Sequence, residues 1–133
     1  MLDSSALIAA ERGSIILSDR LARLGDEPVA ISAVTASELL HGVHRARTAP
    51  QRARRLAFVE GVLGSIPVAE FGLPEARVHA EIWAGLRDTG KVIGAHDLLI
   101  AATALALEFR VATCNMREFA RVPGLLAEDW LAT

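Results

Sequence analysis

Apolar residues fall along this chain in blocks of two kinds, and the two kinds alternate. "PVAISAV", "SIPVAEF" and "RVATCN" are short apolar or β-branched runs, the pattern of buried strands. Between them, apolar positions return every three or four residues. "SIILSDRLARLG" carries Ile16, Leu17, Leu21 and Leu24 at helical spacing and ends on Gly25, which predicts a helix and its stop. "TASELLHGVHRAR" reads as a helix opened by Thr35, with Glu38 at capping-box spacing. After the turn "TAP", "QRARRLAFVEGVLG" is an amphipathic helix, and "LPEARVHAEIWAGLRDTG" is a helix with proline in its first turn and glycine at its end. "MLDSSALIAAE" predicts a very short strand, Met1 and Leu2 before Asp3, followed by a helix entered at Ser4 or Ser5. "MREFARVPGLLAEDW" reads as a turn-rich tail with a final strand near Trp130.

One stretch has no polar side to speak of. Residues 96 to 109 are apolar on nearly all helical faces, which predicts a central, buried helix. Strands alternating with helices throughout predict an α/β fold of three layers, α/β/α, around a mostly parallel sheet. The 133 residues suit one domain spanning 1–133 with a sizeable core.

Composition narrows the class further. At 52% hydrophobic residues the chain is not of the disordered type. No apolar run reaches the roughly 18–20 residues of a membrane span, and "ERGS" interrupts the first apolar stretch too early for a signal peptide. The lone Cys114 excludes an internal disulfide framework or a thiolate zinc cluster. These features lead us to expect a soluble cytoplasmic protein. The net charge of −2 gives no general attraction for nucleic acid. Locally, however, Arg45, Arg47, Arg52, Arg54 and Arg55 crowd together, either as a solvated helix face or as phosphate contacts.

Three acids stand where polar helix faces do not explain them. Asp3 ends the first strand, Glu38 lies in the first turn after "PVAISAV", and Asp97 opens the buried helix. Asn115 ends the strand "RVATC". In an open parallel sheet, ligands bind beyond the carboxyl ends of the strands, the edge where Asp3, Glu38 and Asn115 belong. Each acid has a plainer reading. Asp3 or Ser4 caps a helix, Glu38 completes a capping box, and Asp97 answers a helix dipole. Together, at one sheet edge, they point to an oxygen-ligated hard cation, Mg²⁺ or Mn²⁺, that relieves their mutual repulsion.

"LDSSALIA", "TASELLHG", "HDLLIAATALAL" and "VATCNMREFARVPGL" resemble, in order and spacing, the successive blocks of PIN-domain ribonucleases, and most of all the VapC-type toxins of toxin–antitoxin pairs. The resemblance spans essentially the whole chain. It implies a metal-binding acidic cluster made of Asp3, Glu38 and Asp97, with Asn115 at a position that is Asp in some members. It also implies an Mg²⁺-dependent endoribonuclease (Mn²⁺ substituting), RNA products with 5′-phosphate and 3′-hydroxyl ends, a homodimer and a cognate antitoxin. Ser5 matches a hydroxyl that the family places beside the metal. Two features depart from the pattern: Asn115 is neutral, and few residues precede Asp3. A non-cutting PIN domain that binds RNA or a protein partner, or a housekeeping RNA-processing nuclease, is the alternative.

Other residues weigh less. His41 and His44 share a helix face but lack a partner cluster for zinc, while His41 lies one turn past Glu38, near enough to approach RNA. His96 adjoins Asp97 and reads as a helix-end residue. Ile82 and Trp83 read as core or dimer contacts rather than a base-stacking platform, and Cys114 as a small buried residue. A phosphate-receiver domain also gathers acids at strand ends, but it needs a lysine late in the fold, and the only lysine, Lys91, precedes the buried helix.

Overall fold

The computed structural model describes residues 1–131. Its elements are α1 (Ser4–Glu11), α2 (Leu17–Leu24), β1 (Ile31–Ser32), α3 (Ala33–His44), α4 (Ala49–Ser65), β2 (Val68–Ala69), α5 (Leu73–Asp88), α6 (Ala95–Ala106), β3 (Val111–Thr113), α7 (Met116–Phe119) and β4 (Ala127–Asp129). β1 pairs in parallel with β2, Ile31 opposite Val68, and β3 pairs in parallel with β4, Val111 opposite Ala127. The first residues of the chain lie between these pairs. Leu2 donates its N–H to Ala30 O at 2.9 Å on one side, while Ala112 donates to Met1 O and Asp3 to Ala112 O, each at 2.9 Å, on the other. The spatial order is therefore β2, β1, Met1–Asp3, β3, β4, with the β1–β2, Leu2–Ala112 and β3–β4 pairings parallel. The short initial strand occupies the middle.

Alternation along the strands separates two cores. Leu2, Ile31 and Ala112 pack with residues of α1, α3 and α4, and Met1, Ala30 and Val111 pack with residues of α5, α6 and α7. Helices thus cover both faces of the sheet, giving the three-layer α/β/α arrangement. In α6, Ile100, Ala101, Ala102, Thr103 and Ala104 have no exposed surface, as a helix without a polar side must. It stops at Ala106, three residues before the expected end, with Phe109 N–H bonded to Ala104 O at 2.8 Å. That turn puts Glu108 at φ +59°, a left-handed conformation in a residue with a Cβ, so no glycine announces it.

The strands are shorter than their apolar runs, and α3 shows why. It begins at Ala33, inside "PVAISAV", because Ser32 caps it: Ser32 Oγ accepts the Thr35 N–H at 3.0 Å. Thr35, the expected cap, is instead fully buried in the first turn. The capping box between Thr35 and Glu38 is not formed, and Glu38 is released from that role. At α1, Asp3 occupies the cap position, yet its side chain makes no capping hydrogen bond. Among the described residues no helix is long and apolar enough to cross a membrane.

Ser32→Ala should therefore lower stability in urea unfolding by about 1 kcal/mol, the usual loss of a serine cap. Glu38→Gln should cause no such loss, and an equal loss from both would return Glu38 to the cap.

Candidate active site

The strands change character at one level. After the apolar rows Met1–Ala30–Val111 and Leu2–Ile31–Ala112 come Asp3, Ser32 and Thr113, all polar and all at most 2% exposed. Asp3 Oδ2 accepts hydrogen bonds from Ser5 Oγ at 2.7 Å and from Thr113 Oγ1 at 2.9 Å. These hydroxyls are themselves fixed, since Ser5 Oγ accepts from Cys114 N–H and Thr113 Oγ1 from Asn115 N–H. The other oxygen, Asp3 Oδ1, is buried with no hydrogen-bond partner.

Glu38, on the second turn of α3, is built the same way. Its Oε2 lies 3.4 Å from His96 Nδ1, and its Oε1 is buried without a partner. Asp97, in the first turn of α6, accepts from Asn115 Nδ2 at Oδ2 over 3.3 Å. Glu118 of α7 reaches the same helix end, its Oε2 accepting Gly94 N–H at 3.1 Å.

The carboxyl of Asp97 is pushed up from its ordinary value to about 6. Burial is the largest cause, followed by the negative charges of Asp3, Glu118 and Glu38, with His96 opposing. Four acids, Asp3 at the end of the first strand and one each from α3, α6 and α7, therefore share one electrostatic environment. Among the described residues no three His, Cys, Asp or Glu side chains stand close enough to hold an ion as they now point. The acids share one end of the sheet without converging on a single point. Their chemistry still fits a hard divalent cation: the donors are all oxygen, and Asp3 and Glu38 each keep one buried oxygen unsatisfied.

Residues 1–125 match the family model of the PIN domain. The chain belongs to the PIN-domain family. It is 36% identical over 125 residues to the ribonuclease VapC of Rickettsia bellii, covering 94% of this chain and 91% of that one. It is also 36% identical over 107 residues to the tRNA(fMet)-specific endonuclease VapC of Salmonella typhimurium, covering 80% and 79%. Among solved structures it resembles VapBC2 of Rickettsia felis bound to a DNA fragment from its promoter, with TM-score 0.89 and 26% identity over 98% of this chain and 97% of that one.

Within this PIN domain the structure gathers Asp3, Glu38, Asp97 and Asn115 at the sheet edge, with Ser5 on Asp3. Sequence reasoning missed Thr113 and Glu118. Thr113 sits two residues from Asn115 at a strand end, and a buried threonine there is the only cue. Glu118 in "MREF" reads as a solvated acid. His44 stays exposed at the end of α3 and joins no cluster, and Trp83 is 53% exposed rather than core.

Folded Asp97 keeps its proton up to about 6, whereas the unfolded chain loses it near 3.8. The folded state therefore binds more protons between those values, and stability falls as pH rises through that window. In metal-free protein Asp97→Asn should remove this part of the pH dependence. At pH 7 it should stabilise the fold by on the order of 1 kcal/mol, after allowing for screening at a half-exposed group. Unfolding curves of both proteins on either side of the window check it, and a difference that grows toward acid would contradict the assignment.

Proposed function

We propose that this chain is an endoribonuclease that works with a bound divalent cation, Mg²⁺ with Mn²⁺ able to substitute, and serves as the toxin of a toxin–antitoxin pair. The carrying observation is the shared crevice, where acids remote in sequence raise Asp97 and leave one buried oxygen each on Asp3 and Glu38 unsatisfied. The VapC relatives of Rickettsia bellii and Salmonella typhimurium, a ribonuclease and a tRNA endonuclease, support a reaction on RNA.

In this reading Asp3 and Asp97 hold the cation, and Glu38 holds the attacking water or a second ion. A cation bound there supplies charge neutralisation at the scissile phosphate and a more acidic water. Ser5 and Thr113 fix Asp3 through Oδ2, which leaves Oδ1 for the ion. Glu38 Oε1 accepts the proton of the water, whose oxygen bonds to phosphorus as the P–O3′ bond breaks. The proton returned to O3′ leaves a 3′-hydroxyl and a 5′-phosphate. Asn115 would bond a phosphate oxygen or a water beside the cation, and Glu118 would supply negative charge that Asn115 lacks.

One domain carries this activity, acting in the cytoplasm. A cognate antitoxin fits the likeness to VapBC2 of Rickettsia felis. A homodimer fits the exposed Leu73, Trp83 and Val92, apolar side chains that a second subunit would cover.

Asp97→Asn should reduce Mg²⁺-dependent cleavage of total RNA to background while keeping the folded circular dichroism spectrum. The rise in melting temperature on adding Mn²⁺ should vanish in the same variant. Wild-type cleavage rates in Asp97→Asn would remove the proposed mechanism. In cells, induced expression should arrest growth reversibly, and co-expression of the cognate antitoxin should prevent the arrest. Unimpaired growth under induction would leave the nuclease without a toxin role.

A further inference from the structure

A groove of about 600 Å³ runs between α1, α3 and α4 and has Glu38 and His96 among its lining residues. Along α3, Glu38, His41, Gly42 and Arg45 all line it, a stripe at i, i+3, i+4 and i+7. Two helical turns, about 10 Å of axis, thus separate the acid from the first arginine. Arg12, just past α1, and Arg47, between α3 and α4, extend the same wall.

The arginines of this wall are not equivalent. Arg55 Nη1 donates to Gly42 O at 2.8 Å, and its Nε lies 4.0 Å from Glu11. It ties α4 to the carbonyl end of α3 and is committed to the fold. Arg12, Arg45 and Arg47 are exposed, and no ion pair within 4.0 Å engages them among the described residues. Arg52 and Arg54 are exposed on α4 but do not line the groove, so the arginine-rich stretch splits into two sets.

We propose that Arg12, Arg45 and Arg47 form a track for the phosphate backbone of an RNA strand running to the acidic crevice, an inference that rests on the nuclease reading above. Guanidinium forks match phosphate oxygens two at a time, and among the described residues no carboxylate within 4.0 Å occupies these three. A docked protein helix is the weaker fit. It needs an apolar stripe, and of the apolar side chains lining the groove Leu39 and Val59 are only 4% and 2% exposed, which leaves the half-buried Ile8 alone.

The test measures binding of a fluorescein-labelled single-stranded RNA of mixed sequence to full-length Asp97→Asn protein, by anisotropy across a salt titration. Adding Arg12→Ala, Arg45→Ala and Arg47→Ala together should flatten the slope of log affinity against log salt by about 2, from roughly 0.7 per phosphate contact. Arg52→Ala with Arg54→Ala should leave the slope as it was. In the otherwise wild-type enzyme the triple change should raise KM roughly tenfold with kcat unchanged, the pattern of lost uniform binding. An unchanged slope, or an equal loss from the Arg52 and Arg54 control, overturns the track. So does a triple variant that keeps its RNA slope but no longer binds the antitoxin, which would make the wall a protein seat. A wild-type protein that cuts no RNA, while its slope still depends on the three arginines, upholds the track and sinks the nuclease reading instead.

Discussion

A buried carboxylate is usually held by a cationic side chain, because an unpaired charge out of water is severely destabilising. Asp3 is held by two hydroxyls instead, Ser5 and Thr113, both on Oδ2. The choice has consequences. An arginine there would bind the carboxylate and cancel its charge, whereas hydroxyls orient it and leave the charge in place. The field therefore reaches Asp97, and Oδ1 is left without a partner. The polar row Asp3–Ser32–Thr113, one step beyond the last apolar row, is what makes this possible. It sets the carboxylate and the orienting Thr113 on adjacent strands, and Ser32 on the next.

The same row also determines where the helices begin. Ser32 caps α3 and so sets the phase that brings Glu38, two turns on, to the sheet edge. α6 is pinned through the core by side chains with no exposed surface, so its first turn and Asp97 cannot retreat from the crevice. Glu118 accepts from Gly94 at that helix end, which satisfies one free N–H while adding a further negative charge beside Asp97. Rigid packing thus holds like charges nearer than they would settle alone. Such crowding of like charges raises Asp97, and a cation in the role proposed above would relieve it.

Much of this is written in the local pattern. Alternating apolar runs gave the order of strands and helices, α6 declared itself by having no polar side, and Asp3, Glu38, Asp97 and Asn115 stood out at junctions. What failed was phase and reach. Thr35 and Glu38 match a capping box, but Ser32 lies three residues before Thr35 and took the cap, a competition that spacing alone does not decide. α6 ended before a left-handed Glu108, with Phe109 packed against the core beyond it and no glycine to mark the turn. Thr113 and Glu118 were illegible for a different reason. Their contacts depend on the register of Leu2 against Ala112 and on α7 folding back onto α6, both long-range facts.

Asn115, which looked like a weakness in the sequence, has a physical rationale in the structure. Its amide donates to Asp97 Oδ2 at 3.3 Å, where an aspartate would present a fifth carboxylate to a group already raised by three. Another charge there would deepen the repulsion, since each like neighbour makes ionisation of the next harder. With Glu118 already at that end of the crevice, the amide keeps an oxygen available for a ligand while moderating the strain. The neutral amide and the Glu118 carboxylate thus divide between them, at this end of the sheet, the bonding and the charge that one aspartate would combine.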